Sequence, residues 1–307
     1  MLKELAPALR AQVARLGGTI AVCAEDIASG ERVHIGSRAM LPMASVTKVP
    51  LMITLFRQHE RGRIDLTKRI RITEKEKSLG SGLLHIMDSG LALTLRDLIV
   101  FAEGVSDNTA TDLLYRVVSP AAVTREMRRL GLRISVTRSI DDLLRVYLRA
   151  AAPQMARLPH RAARHYERMH APPWNALSPS AELRISKRIF ADGRDCAPAG
   201  EITRLLCMLA RGELADAQHT ADMLDILHAQ QHKGRLPHLL PDHVKMACKP
   251  GTLPGKIIND AGIVERGGRA VALSVFTWYR RDAQPISVVA DVMGRIARSI
   301  YDELPER

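Results

Sequence analysis

Ser45 and Lys48 stand three residues apart at the head of a long apolar run. That spacing puts both on one face of a helix and lets the lysine nitrogen reach the serine hydroxyl. A serine hydroxyl is a weak nucleophile at neutral pH and needs a neighbouring base, or a cation that favours its ionised form. Lysine can serve only where burial or nearby positive charge lowers its pKa. Alone the pair carries little weight. Ordinary composition yields about one Ser-x-x-Lys in a chain of this length, and an N-capping serine followed by a surface lysine accounts for it as well.

Two more groups stand further along. Ser106-Asp107-Asn108 precedes a helical pattern, and Lys249-Pro250-Gly251-Thr252 follows a strand-like run. In this order the three groups resemble the motif set of the class A β-lactamase and penicillin-binding protein family. The resemblance runs from about residue 15 to about residue 300, apart from an Arg-rich middle stretch. It implies that Ser45 is the nucleophile and that Lys48 and Ser106 move its proton. Asn108 then holds the lysine and a substrate amide, and Asp107 is structural; read from its place before Thr109 alone, Asn108 could instead be a helix cap. Lys249, Gly251 and Thr252 become substrate-binding positions, with a backbone amide near Thr252 helping that of Ser45 to hold the oxyanion. The family usually has threonine where Pro250 stands, so one hydroxyl and one N–H are missing. Proline is best tolerated on an edge strand, which is expected here.

In class A enzymes a glutamate, with an asparagine four residues on, positions the water that hydrolyses the acyl-enzyme, and an Arg-Asp pair closes that loop. Counting back from Arg194-Asp195 assigns these places to Glu182 and Ser186. Ser186 departs from the pattern, having one donor where an amide has two. A first-turn helix residue following Ser180 is an equal reading of Glu182.

The elements that must position these groups follow from periodicity. Residues 2–16 read as an amphipathic helix, and 19–24 and 32–35 as short strands joined across Ser29-Gly30. A helix from 44 to about 61 carries Ser45 in its first turn and is expected to be irregular at Pro50, which cannot donate to the Val46 carbonyl. Helices are read at 91–101, 109–118, 120–130, 201–210, 221–232 and 286–304, and strands at 243–248, 260–265 and 271–279. Two strands alone are marginal, so early and late strands must share one antiparallel sheet. The expected fold is α/β (α+β), β-lactamase/transpeptidase-like, with an antiparallel sheet flanked by helices and an all-helical lobe. One catalytic domain spans 1–307, with an α/β lobe of 1–40 and 235–307 and a helical lobe of 41–234. Within the latter, an Arg-rich insertion near 133–180 reads as a solvated face.

Composition bounds the rest. The chain has 307 residues, 46% of them hydrophobic, with no apolar stretch of membrane-helix length, so a soluble protein with a large core is expected. A formal charge of +12 with only 4% aromatics and no nucleic-acid motif favours a small anionic amide or ester substrate over nucleic acid. Cys23, Cys196, Cys207 and Cys248 lack ligand spacing and read as free buried thiols. No metal, cofactor or membrane partner is implied, and the oligomeric state is left open. The opening residues lack the order of a signal peptide, so a cytoplasmic location is expected, or a periplasmic or secreted one if a leader has been removed. The function implied is an active-site serine hydrolase forming an acyl-enzyme, with β-lactam amides as first substrates. A D-Ala-D-Ala peptidase-like enzyme, an esterase or a biosynthetic amidase on the same fold is second, and a catalytically lapsed ligand-binding protein third.

Overall fold

The structure, a computed structural model, describes residues 1–16, 18–36, 38–157, 177–279 and 285–306. Its helices are α1 (Leu2–Ala14), α2 (Lys48–Glu60), α3 (Leu95–Gly104), α4 (Asn108–Val117), α5 (Pro120–Arg129), α6 (Ile140–Ala151), α7 (Pro153–Ala156), α8 (Pro179–Ile189), α9 (Ala199–Ala210), α10 (Ala217–His228) and α11 (Ile286–Asp302). Its strands are β1 (Gly18–Asp26), β2 (Arg32–Ile35), β3 (Leu41–Pro42), β4 (Arg69–Arg71), β5 (Ala92–Thr94), β6 (Cys196–Ala197), β7 (Ala247–Leu253), β8 (Ile257–Arg266) and β9 (Arg269–Tyr279).

Early and late strands do join. The main sheet runs β2-β1-β9-β8-β7, antiparallel throughout, and β1 pairs with β9 along its whole length from Gly18 opposite Tyr279 to Asp26 opposite Val271. Gly267 and Gly268 both take positive φ, +56° and +76°, as a two-residue hairpin between twisted strands requires. Residues 257–264 of β8 are all buried, because both faces of the sheet are covered. Leu2, Leu9, Val289, Met293, Ile296 and Ile300 of α1 and α11 pack on one face. α9 lies on the other through Ile202, Leu205, Leu206 and Leu209, in the core that continues into the helices around α2. This is the β-lactamase/transpeptidase-like arrangement, an antiparallel sheet set among helices.

Several boundaries differ from expectation for identifiable reasons. Ser45 lies in a 3-10 turn, Ala44–Thr47, and the α-helix starts only at Lys48. Pro50 is therefore in the first helical turn, where a missing N–H costs nothing, and the expected irregularity falls before it. α3 begins at Leu95 because Thr94 and Asp97 form a reciprocal cap, and the residues before them pair as β5 with β4. β7 starts at Ala247, so Lys249 to Thr252 lie inside the strand, at the sheet edge where Pro250 was expected. Of the Arg-rich stretch, α6, α7 and α8 are described, whereas residues 158–176 lie outside the described residues. All four cysteines are buried free thiols. Among the described residues no helix is long and apolar enough to cross a membrane.

Candidate active site

Three segments converge on Ser45. Ala44 takes φ +51°, a costly conformation for a non-glycine residue, and the 3-10 turn that follows presents Ser45 to a cavity of about 670 Å³. The chain entering this turn is held from the sheet: Asn259 of β8 donates through Nδ2 to the carbonyls of Pro42 (2.7 Å) and Met43 (3.0 Å). Gly251 of β7 closes the other side. A Cβ there would stand 2.8 Å from the Ser45 amide nitrogen and 3.0 Å from the Met43 carbonyl oxygen, so only glycine lets the strand approach this closely.

Lys48 is fully buried and spends its three donors on Ser106 O (2.7 Å), Ser106 Oγ (3.1 Å) and Asn108 Oδ1 (3.0 Å). It makes no hydrogen bond to Ser45 among the described residues. Burial first, and the charge of Lys249 second, push its pKa down to about 7. Half of it is then free amine near neutrality, and that form has a lone pair to offer. Ser106, at φ +56°, is turned toward the lysine, and its carbonyl also accepts from Ser81 Oγ at 2.9 Å.

Asp107, not Asn108, caps α4, accepting from Ala110 N at 2.9 Å; its other oxygen accepts from Leu83 N (2.6 Å) and Leu84 N (2.8 Å). Asn108 is thereby free to take its side chain inward, donating to Leu79 O at 2.8 Å while receiving Lys48. On the opposite strand Lys249 is fully buried, with Pro250 O as acceptor at 3.2 Å. Burial lowers its pKa to about 8 against the opposing pull of Glu103 and Asp260. The Thr252 hydroxyl accepts from Arg235, whose guanidinium also holds Gly251 O (2.8 Å) and Asn259 O (2.5 Å). With a lone pair taken, Thr252 keeps its one O–H to donate.

Glu182 lines the same cavity as Ser45, Ser106, Asn108, Gly251 and Thr252. It sits in the first turns of α8, whose cap is Ser178 rather than Ser180, and its carboxylate makes no hydrogen bond among the described residues. Ser186 is one turn on and fully buried, but its hydroxyl donates to Pro254 O at 3.0 Å and lies 3.1 Å from Tyr147 Oη. Its one donor is therefore spent on a backbone carbonyl rather than offered to the cavity. Asp195 pairs with Arg138 (Nε to Oδ2, 2.5 Å) and accepts from Thr137 N at 2.7 Å, while Arg194 turns to exposed Asp192. The loop is thus closed by Arg138 and Asp195, a pair separated by the whole excursion.

A serine beside a depressed-pKa lysine, a second serine on that lysine, and a lysine–threonine strand across a cavity make a constellation for acyl transfer. The sequence also matches the beta-lactamase enzyme family over residues 4–304. The chain belongs to that family. It is 24% identical to the beta-lactamase regulatory protein BlaB of Streptomyces cacaoi over 100% of this chain and 98% of that one. It is 35% identical to a beta-lactamase of Streptomyces albus G over 43% of each. Among solved structures, a beta-lactamase from Sphaerobacter thermophilus superposes with TM-score 0.75 at 24% identity, covering 98% of both chains. PBP-A superposes with TM-score 0.73 at 18% identity, over 98% of this chain and 96% of that one.

Sequence reasoning passed over three residues of this beta-lactamase-family site. Asn259 and Arg235 were not singled out, because the groups they join are distant in the chain and no local period marks them. Glu103, on α3 just before the Ser106 motif, is 1% exposed, and its Oε2 has no hydrogen-bond partner among the described residues. Burial pushes its pKa up to about 7, against Lys249 and then Lys48, so it faces both amines electrostatically. A carboxylate in an otherwise apolar helix face was the available signal.

Proposed function

We propose that this chain is an active-site serine hydrolase that works through an acyl-enzyme, with β-lactam amides as its first substrates. The observation that carries the reading is the fully buried Lys48, with its pKa at about 7, bonded to Ser106 and one helical step from Ser45. Neutral Lys48 takes the proton of Ser45 as its Oγ attacks the carbonyl carbon. Ser106 then passes a proton to the leaving nitrogen or oxygen. The Ser45 amide and one from β7 near Thr252, which Gly251 allows to lie close together, stabilise the oxyanion. Lys249, Thr252 and Arg235 receive the substrate's carboxylate. Glu182 activates the water that releases the acyl group. The cleft lies between a sheet lobe (1–40 and 235–307) and a helical lobe (41–234) that act as one catalytic unit.

A second reading keeps the same acylation step with slow release, as in a penicillin-binding peptidase, an esterase or a sensor of β-lactams. The commitment of Ser186 to Pro254 favours it, because the water beside Glu182 loses a donor there. The deciding measurement is intact mass after exposure to penicillins and to activated esters. Wild type should gain one acyl mass and Ser45→Ala none. Labelling that survives in Ser45→Ala would remove Ser45 as nucleophile.

A further inference from the structure

The cavity in front of Ser45 has two chemically different linings. Arg235 and Thr252 supply charge and hydroxyl, whereas Ile140, Leu143 and Leu144 of α6 present one apolar helix face to the same space. Residues 140, 143 and 144 are one helical turn's worth of a single stripe. Leu144 and Asn108 flank Gly80 at the cavity: a Cβ on Gly80 would lie 3.1 Å from Leu144 Cδ1 and 2.6 Å from Asn108 Nδ2.

α6 is fastened at both ends. Asp112 of α4 accepts from Ile140 N (2.7 Å) and Asp141 N (3.0 Å), tying its start to the helix that carries Asn108. Further along, Tyr147 Oη lies 3.1 Å from Ser186 Oγ and donates to Pro254 O at 3.2 Å, tying α6 to α8 and to the end of β7. Gly255, at φ +87°, makes room for this, since a Cβ there would fall 1.7 Å from Ser186 Oγ. Ser186 is thus a strut that holds α6 and α8 against the strand. An apolar face held rigidly against a reaction cavity is what a ligand site needs, because little ordering remains to be done on binding.

We propose that α6 is the acyl-binding wall of this site and selects substrates whose acyl group is apolar, aliphatic or aryl, on the carbonyl that Ser45 attacks. This rests on the reading of Ser45 as nucleophile. Arg235 and Thr252 receive the anionic part of the leaving group, so the acyl part, which stays on Ser45 and faces Glu182, takes the α6 side. In the step, Ser45 Oγ bonds the acyl carbon and the C–N or C–O bond to the leaving group breaks. The serine proton reaches the leaving atom by way of Lys48 and Ser106, and water later releases the free carboxylic acid.

The test uses the full chain and phenyl esters of straight-chain acids from acetyl to octanoyl, with acylation followed by phenol release and intact mass. Relative to alkaline hydrolysis of each ester, kcat/KM should rise about fourfold per methylene until the wall is filled. Leu144→Ala should move the plateau to longer chains and Leu144→Phe to shorter ones. A flat series, or the same plateau in both Leu144 variants, overturns the wall. Calorimetric titration of Ser45→Ala with N-acylglycines of the same chain lengths separates this from failure of the nucleophile. Affinity that climbs with chain length upholds the wall even if no ester acylates wild type, and affinity independent of chain length overturns it.

Discussion

Lys48 sets the pH at which this site should switch on. An ordinary lysine at pH 7 is free amine in only about one molecule in 2,500. With its pKa at about 7, Lys48 is free amine in about half. That enrichment is over a thousandfold, equivalent to about 4 kcal/mol of a barrier that needs the free base. The sign follows: the base form grows as pH rises, so acylation should climb through about pH 7 and level off by about pH 9. The assay is the initial rate of acyl-enzyme formation with an uncharged ester, so that binding does not titrate. With a carboxylate-bearing ester the same limb should be followed by a fall, because Lys249 loses its charge as pH passes about 8. Lys48→Arg, which stays protonated throughout, should acylate about a hundredfold to ten-thousandfold more slowly. An uncharged-ester profile that is flat across pH 7, or that inflects only near the ordinary lysine pKa, would refute the assignment of Lys48 as base.

Three other outcomes are expected. Glu103→Gln removes a buried negative charge that favours both ammoniums, so the rising limb and the falling limb should both move to lower pH with the fold intact by circular dichroism; unmoved limbs would mean that Glu103 is electrostatically silent. Arg235→Ala should cost roughly tenfold to a hundredfold in kcat/KM for carboxylate-bearing esters, the scale of one charge-assisted hydrogen bond, and little for uncharged ones. Equal losses on both would make Arg235 a brace for Gly251 and Asn259 alone. For Glu182→Gln, mass spectrometry should show persistent acyl-enzyme formed at nearly the wild-type rate, and identical lifetimes in both proteins would assign Glu182 to its helix terminus.

Much of the candidate site was legible because its residues stand in short motifs whose members bond to near neighbours. Ser106, Asp107 and Asn108 divide their tasks at one helix start, where a carboxylate caps the backbone and leaves the amide beside it free to reach Lys48. The sheet was legible for a different reason: isolated early strands have to find partners, and the late β-branched runs were the available ones. What stayed hidden is contact between groups far apart in sequence. Asn259 braces the turn that carries Ser45 across 217 residues, and no local pattern encodes such a pair. The strain at Ala44 likewise could not be read, so Ser45 was placed one turn too deep in its helix and Pro50 looked disruptive.

Ser186 shows how position and role come apart. Counting from Asp195 located it, one turn from Glu182, but the partner of its hydroxyl is decided elsewhere. Gly255 carries no Cβ, and that vacancy admits the Ser186 side chain to the Pro254 carbonyl. A hydroxyl has one donor, so holding β7 and α8 together leaves nothing to donate to a water beside Glu182. On the proposed role of Glu182, the same bond that holds α6 and α8 against the strand would leave its water with one donor fewer. On the proposed roles, shaping the acyl wall and releasing the acyl group would compete for one hydrogen bond, and Ser186 Oγ gives that bond to Pro254.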